Sequence, residues 1–337
     1  MDKKIALDEK IFIAGAKGMA GSAIYRSLIK HGYGNAEYNG KILAPTRKEL
    51  DLLDLNAVIA WFKKNKPTVV IVAAAKVGGI LANSTFPADF LITNLKIQTN
   101  IIETAWLYGV KRLLFIGSSC IYPKLSNQPI KEEYLMTSSL EPTNEGYAIA
   151  KIAGLKLCKA LRMQYDFDAI SIMPTNLYGP GDNYDSSNSH VMAALLRKFY
   201  EAKANNSSVI CWGSGKQLRE FMHVDDLGEA VTFVLEYWDP SSFGAPKNDN
   251  GESLLFLNVG TGKDLTIKNL SEKIANAIGF KGDIKWDLSK PDGTPRKLLD
   301  VSRINKLGWK ANITLDDGIR ETVKNLSSEI KRFNKRN

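Results

Sequence analysis

Ser118, Tyr147 and Lys151 form a set of side chains that could act together on an oxygen atom. Ser118 ends an apolar run, Leu113-Leu114-Phe115-Ile116-Gly117, and the stretch Tyr147-Ala-Ile-Ala-Lys151 follows about thirty residues later. A spacing of four puts Tyr147 and Lys151 on one face of a helix. The Lys151 ammonium can stabilise a phenolate, which predicts a tyrosine pKa drawn down towards neutrality. A tyrosine tuned in this way exchanges a proton with a sugar or steroid oxygen, and the Ser118 hydroxyl can hold that oxygen in place. Beside a nicotinamide, the trio is the machinery of carbonyl–alcohol redox chemistry. Two residues past Ser118 stands Cys120, a thiol that plain redox chemistry does not require. Taken alone, Tyr147 and Lys151 read as an ordinary aromatic and an exposed lysine. Ser118 at a strand end changes that reading, because sites in parallel α/β sheets lie at the carboxyl ends of strands.

Alternating apolar runs and amphipathic stretches supply the elements that must position this set. Strands are expected at Ile11 to Ala14, Lys41 to Ala44, Val69 to Val72, Leu113 to Ile116 and Ala169 to Met173, and a later one at Leu254 to Val259. Helices are expected at Ser22 to His31, Ala57 to Lys64, Asn94 to Tyr108, Tyr147 to Gln164 and Val191 to Phe199. Continuous apolar strands separated by helices indicate a parallel sheet covered on both faces, the α/β doubly wound (Rossmann) class. Beyond Pro174 the texture turns polar and turn-rich, and a mobile loop is predicted at Asp239 to Glu252. The expected division is a dinucleotide-binding domain over residues 1–176, with a segment returning near 220–260. A smaller mixed α/β substrate lobe spans mainly 177–337.

The segment Gly15-Ala16-Lys17-Gly18-Met19-Ala20-Gly21 joins the first strand to the first helix. Its glycines permit the tight turn, the approach of a pyrophosphate and close helix–sheet packing, and the helix start favours the phosphates. The alternative is a structural turn. No carboxylate follows the second strand where an NAD enzyme would hold the ribose hydroxyls. Lys17 and Arg47 are placed to meet a 2′-phosphate, so NADP(H) is the expected cofactor, with solvated surface charges as the alternative. Asp54 reads as an adenine contact or a helix start.

The bulk composition narrows the class. An apolar fraction of 44% and a charged fraction of 24% over 337 residues suit a globular chain with a sizeable core. Cys120, Cys158 and Cys211 show neither paired nor metal-ligand spacing, which points to a reducing, cytoplasmic setting. No signal-peptide pattern or membrane-length apolar run is present. The net charge of +9 is partly a basic tail, Lys331-Arg332-Phe333-Asn334-Lys335-Arg336, read as a solvated end rather than a nucleic-acid site.

The chain resembles the extended short-chain dehydrogenase/reductase family, and within it the GDP-L-fucose synthases. The likeness runs over nearly the whole length. It is most specific at AAAKVGGI (73–80), GSSCIYPK (117–124), EPTNEGYAIAKIA (141–153), MPTNLYGP (173–180), NSHV (188–191), WGSG (212–215) and SKPDGTPRKLLD (289–300). The resemblance implies a GDP-4-keto-6-deoxy-D-mannose 3,5-epimerase–4-reductase. Cys120 matches the base and His190 the acid of epimerisation, and Tyr147 matches the proton donor of the NADPH-dependent reduction. Without that likeness, Cys120 reads as buried filler and His190 as the cap of an apolar helix. Pro174, Thr175, Asn176 and Leu177 match the segment along the nicotinamide, where His190 also belongs. Lys198, Trp212, Arg219 and Asp292 match contacts to the GDP-sugar, and Arg296 is a further candidate by proximity. The resemblance also implies a homodimer paired through helices Asn94 to Tyr108 and Tyr147 to Gln164. Gly146 stands where the family often carries proline, and Lys17 where arginine is common. The rival readings are a 4-epimerase or 4,6-dehydratase of the same fold and a non-catalytic dinucleotide sensor.

Overall fold

The computed structural model describes residues 3–185, 188–290 and 292–334. Met1-Asp2, Ser186-Ser187 of the polar stretch, Pro291, and Lys335 and Arg336 of the basic tail lie outside the described residues.

The first half alternates strands and helices. β1 (Lys10–Ala14) leads to α1 (Met19–Lys30), then β2 (Lys41–Leu43), α2 (Leu55–Asn65), β3 (Val69–Val72), α3 (Ile80–Thr85), α4 (Pro87–Leu107) and β4 (Arg112–Ile116). α5 (Glu145–Tyr165), β5 (Ala169–Pro174) and β6 (Asn176–Tyr178) follow. The second half comprises α6 (Val191–Ala204), β7 (Val209–Trp212), β8 (Leu218–His223), α7 (Val224–Tyr237), β9 (Phe256–Val259), β10 (Asp264–Thr266), α8 (Ile267–Ile278), β11 (Ile284–Asp287), β12 (Arg296–Lys297), α9 (Ser302–Leu307) and α10 (Leu315–Asn334).

Six strands form an all-parallel sheet in the order β2-β1-β3-β4-β5-β9. Every residue of β3, β4 and β5 is buried, which is why these strands carry no polar alternation. α1 packs with α7, and α4 with α5, so helices cover the sheet. The order reverses at β1, with β2 on one side and β3 on the other. Ligand crevices of open α/β sheets lie outside the strand ends at such a point.

Several elements start earlier than the sequence suggested. α1 begins at Met19 rather than Ser22, because the residues after Gly18 already turn into the helix. α4 begins at Pro87, where proline's fixed φ suits a first helical position. The short α3 ahead of it was not expected. α5 begins at Glu145, so Gly146 lies in its first turn, and a Cβ there would meet the Pro87 carbonyl oxygen at 2.9 Å. In this chain the glycine lets α5 approach the start of α4. The predicted mobile loop at 239–252 is tied down through Asp249, which pairs with Lys131 at 2.8 Å and Arg303 at 3.4 Å.

A second apolar core gathers residues of α6, β7, α8 and α10, including Leu196, Phe199, Leu270, Ile274 and Leu326. Above it β10, β8 and β12 form a small sheet, with β6 also pairing to β8. Glu220 on β8 is fully buried and joins this sheet to its surroundings. Its Oε1 accepts the Thr261 and Gly262 N–H groups at 2.6 and 2.7 Å, and its Oε2 accepts the Leu299 N–H at 3.0 Å. Its backbone oxygen accepts Asn176 Nδ2 at 2.8 Å and Thr175 Oγ1 at 3.3 Å. Burial pushes the Glu220 carboxyl pKa up, and the three N–H donors oppose that shift.

Removing the carboxylate leaves three backbone donors without their acceptor; the Leu299 N–H is buried, a loss worth roughly 1–3 kcal/mol, while those of Thr261 and Gly262 are partly open to water and cost less. Glu220→Ala is therefore expected to lower unfolding stability by about 2 kcal/mol, read from urea denaturation. A change within error would show that the carboxylate is not what joins these segments.

Candidate active site

The glycine loop leaves β1 with Gly15 at φ +87°, and a Cβ there would lie 2.7 Å from Ala74 Cα and N at the end of β3. A Cβ at Gly21 would lie 2.1 Å from the Gly15 carbonyl oxygen. Backbone on both sides thus excludes any larger residue at either position. Gly18 caps α1 without a side chain, so the first N–H groups of the helix, beginning at Met19 and Ala20, have no side-chain acceptor. Such a helix start suits a pyrophosphate, and the residues present fit an NADP(H) diphosphate. Ala16 is buried under the turn, while Lys17 and Arg47 are both exposed.

No carboxylate stands directly after β2, and Glu49, further along, is engaged by its own turn. Glu49 Oε2 accepts the Thr46 N–H at 2.7 Å and the Thr46 hydroxyl at 2.8 Å. These bonds, with a smaller contribution from Lys17, hold its carboxyl below the ordinary range. Asp54 stands at the helix start: its Oδ1 accepts the Asn56 and Ala57 N–H groups at 2.9 and 3.1 Å and caps α2.

At the end of β4 the chain turns sharply through Ser118. The Ser118 Oγ accepts the Cys120 N–H at 3.2 Å and lies close enough to the Tyr147 phenol to act on its pKa. Lys151, only 3% exposed, lies under Tyr147. Its Nζ donates to the Ile116 carbonyl at 2.8 Å, sits 4.8 Å from the Phe115 ring centroid and 6.0 Å from that of Tyr147. Burial brings the Lys151 pKa down to about 8. The expected lowering of the tyrosine pKa is corrected. Burial, then the charge of Cys120, pushes the Tyr147 phenol above its ordinary value, and the Ser118 hydroxyl offsets only part of this. Lys151 directs its ammonium at a backbone carbonyl rather than at the phenol oxygen. At neutral pH the hydroxyl therefore keeps its proton.

Cys120 is half-buried and lies beside this group, whereas Cys158 and Cys211 are buried elsewhere. Its sulfur accepts a hydrogen bond from Lys297 Nζ at 3.7 Å, and it lies within electrostatic reach of Tyr147 and Arg219. His190 occupies the N-cap position of α6, but its side chain makes no capping bond, so the imidazole is not spent on the helix. Although His190 is exposed as a residue, desolvation of the ring and then the Lys297 charge push its pKa below the ordinary value. Thr175 and Asn176, between β5 and β8, are held by the Glu220 carbonyl, and the Thr175 N–H donates to Val259 at 2.9 Å. Pro174 is buried and Leu177 half-buried beside them.

The second lobe carries the remaining candidates. Trp212 is 50% exposed at the end of β7, with Lys198 Nζ 5.1 Å and Lys290 Nζ 5.5 Å from its ring centroid. Lys198 also donates to the Ile210 carbonyl at 2.8 Å, and burial lowers its pKa. Asp292 spends both oxygens on Ser214, on its N–H at 2.7 Å and its hydroxyl at 2.9 Å, which fixes the turn after Trp212. Those bonds hold its carboxyl low. Burial also lowers the Arg219 pKa. Arg296 pairs with Asp264 at 2.6 Å, while the next residue, Lys297, reaches Cys120. Successive strand residues face opposite sides, so only one of the pair can face the thiol. Nothing in the sequence of so short a strand singled out Lys297 over Arg296, and nothing marked Lys290. Among the described residues no group of three or more His, Cys, Asp or Glu could hold a metal, and no helix is long and apolar enough to cross a membrane.

A family model described as "NAD dependent epimerase/dehydratase family" matches residues 11–243. The chain is 53% identical over 314 residues to "Putative GDP-L-fucose synthase 2" of Arabidopsis thaliana, covering 93% of this chain and 90% of that protein. It is 50% identical over 315 residues to the GDP-L-fucose synthase of Escherichia coli (strain K12), covering 93% and 95%. The crystal structure of a GDP-L-fucose synthetase from Naegleria fowleri bound to NADP superposes with a TM-score of 0.83 at 26% identity, covering 97% of this chain and 96% of that one. With a doubly wound parallel sheet, a glycine loop at its switch point and Ser118, Tyr147 and Lys151 at the end of β4, the chain belongs to the NAD dependent epimerase/dehydratase family, in the branch of the GDP-L-fucose synthases.

Proposed function

We propose that this chain converts GDP-4-keto-6-deoxy-D-mannose to GDP-L-fucose, inverting C3 and C5 and then reducing C4. The observation that carries the reading is the Cys120 thiol close to both Ser118 and Tyr147, so that one site offers both a carbon base and an oxygen acid. The relatives named GDP-L-fucose synthase support the substrate assignment.

A ketone at C4 acidifies the hydrogens on C3 and C5. Cys120 as thiolate removes a proton to leave an enolate, and His190 returns one to the opposite face. Desolvation makes the His190 imidazolium a readier donor, at the expense of its population at neutral pH. Bound NADPH supplies the hydride for C4. Ser118 then orients the C4 oxygen and Tyr147 protonates it as charge develops, a role that suits a phenol kept protonated by burial. The ammonium of Lys151 stabilises the phenolate left behind. Gly15 to Gly21 hold the cofactor diphosphate, with Lys17 and Arg47 at the 2′-phosphate, and residues 174–177 line the nicotinamide. Lys198, Trp212 and Arg219 receive the GDP portion, and Asp292 supports them by fixing the turn after Trp212.

The further assignments have narrower support. The two apolar cores support a division into a cofactor domain and a substrate lobe. Exposed Ile92 and Leu107 on α4, and Ile149 and Met163 on α5, support pairing of two copies through these helices. Three free cysteines suit a reducing cytoplasm. A 4-epimerase or 4,6-dehydratase would regenerate its cofactor, whereas Cys120-Ile121-Tyr122 stands after Ser118 where a dehydratase uses acidic residues. The retained Tyr147–Lys151 pair argues against a sensor.

Incubation with GDP-4-keto-6-deoxy-D-mannose is expected to consume one NADPH per GDP-L-fucose formed; a product with no net NADPH oxidation overturns the reading. Cys120→Ala is expected to nearly abolish solvent-hydrogen exchange at C3 and C5 while leaving NADPH affinity intact, and full exchange removes the base assignment. Tyr147→Phe is expected to slow reduction about 10²–10⁴-fold, more than it slows exchange; equal losses would contradict its role as donor. Because the Lys151 ammonium titrates at about 8, the reduction rate is expected to fall as pH rises through that value, measured at saturating substrate. A rate flat to pH 10 removes the need for that charge.

A further inference from the structure

Lys297 bears on both residues assigned to proton transfer at carbon. Its Nζ donates to Cys120 Sγ at 3.7 Å, and its charge acts on the His190 ring. The backbone around it is clamped from several sides. Gln128 Nε2 donates to the Arg296 carbonyl at 3.1 Å, and the Leu298 N–H donates to Gln128 Oε1 at 2.8 Å. The Ile130 N–H donates to the Leu298 carbonyl at 2.7 Å, and the Leu299 N–H to Glu220 at 3.0 Å. A lysine normally wanders because its stem is flexible. Here two neighbouring residues are fixed on the polypeptide side, and Arg296 is drawn to Asp264 on the other face.

We infer that Lys297 is a positioning residue for epimerisation, the fixed counter-cation that holds the Cys120 sulfur as thiolate facing the substrate. This inference rests on the assignment of Cys120 as carbon base. The thiol proton leaves to solvent, and the resulting sulfur anion is balanced by the ammonium. When the sulfur takes a proton from carbon it becomes neutral, and the negative charge passes to the enolate oxygen while the cation stays in the site. Lys297 itself transfers nothing. Other charges also bear on the sulfur. Arg219 is the cross-strand neighbour of Lys297 in the β8–β12 register, and Tyr147 faces the sulfur from α5 above buried Lys151. Glu141, paired with Lys124 at 3.1 Å, lies within electrostatic reach of Arg219 and partly cancels it. His190 also feels the Lys297 charge. Among these, Lys297 is the cation hydrogen-bonded to the sulfur.

The test is the pH profile of Cys120 alkylation by iodoacetamide, without substrate, with the modified residue identified by peptide mass spectrometry. In Lys297→Met the inflection is expected to move up by about one pH unit, with a smaller thiolate fraction and slower alkylation at neutral pH. Lys297→Arg is expected to restore most of the shift. Circular dichroism and NADPH binding verify folding. If the Met variant does not fold, Lys297→Gln, uncharged but polar, reads the same quantity. An unchanged inflection in a folded, uncharged variant overturns the inference. Solvent exchange at C3 and C5 separates the two readings. Exchange that survives in Cys120→Ala removes the base assignment even if the alkylation shift is found. Exchange lost in Cys120→Ala with no alkylation shift in Lys297→Met removes the role of Lys297 alone.

Discussion

The buried carboxylate of Glu220 is the interaction on which the geometry of the site depends. A carboxylate deprived of water is tolerable only when its lone pairs are filled, and three backbone N–H groups fill them here. Those groups come from the turn after β9 and from the segment after β12, so one side chain fixes the spacing between the large parallel sheet and the small one. The same residue's carbonyl holds Thr175 and Asn176. Strand β8, which carries Glu220, also carries Arg219, and β12 beside it carries Lys297. The cations that face Cys120 are thus set by a bond pattern that touches none of the reacting groups.

The main sheet contributes the complementary half. Its carboxyl ends present Gly15, the turn at Ser118 and the segment after Pro174 along one edge, since parallel strands all end on the same side. The glycine loop approaches the end of β3 so closely that a single Cβ would collide with Ala74. Ser118 joins two functions, because its hydroxyl accepts the backbone N–H of Cys120 and acts on the neighbouring Tyr147 phenol. Carbon acid–base chemistry and carbonyl reduction therefore share one local support. That proximity matches a reaction in which the same ketone first acidifies its neighbours and then accepts hydride.

Electrostatics in the site is governed by burial more than by charge pairing. Lys151 has its proton affinity lowered and Tyr147 has its own raised, each because water is removed from the charged form. The phenol stays a donor, which is the protonation state that reduction requires. His190 is shifted in the direction that makes its cation a stronger acid. A carboxylate placed after β2 is used by its own turn, as Glu49 binds Thr46, and Asp54 is likewise used to cap α2. Both show how an acidic residue near a cofactor loop can be structural.

The sequence by itself determined the parallel sheet, the glycine turn and the grouping of Ser118, Tyr147 and Lys151, because these depend on local periodicity and on spacing along single elements. It also marked Cys120, which sits two residues from Ser118 in the same turn. Tertiary structure decided what distant segments do to one another. Lys297 and Cys120 are 177 residues apart in the chain, and tertiary bonds from Gln128 and Ile130 to residues 296–298, together with the β8–β12 pairing, bring them together. The choice of Lys297 over Arg296 depends on which face of a two-residue strand meets the thiol, and no periodicity can be read from so short an element. The direction of the Tyr147 shift was likewise hidden, because it depends on how much water the folded protein excludes and on where the lysine ammonium finds its acceptor.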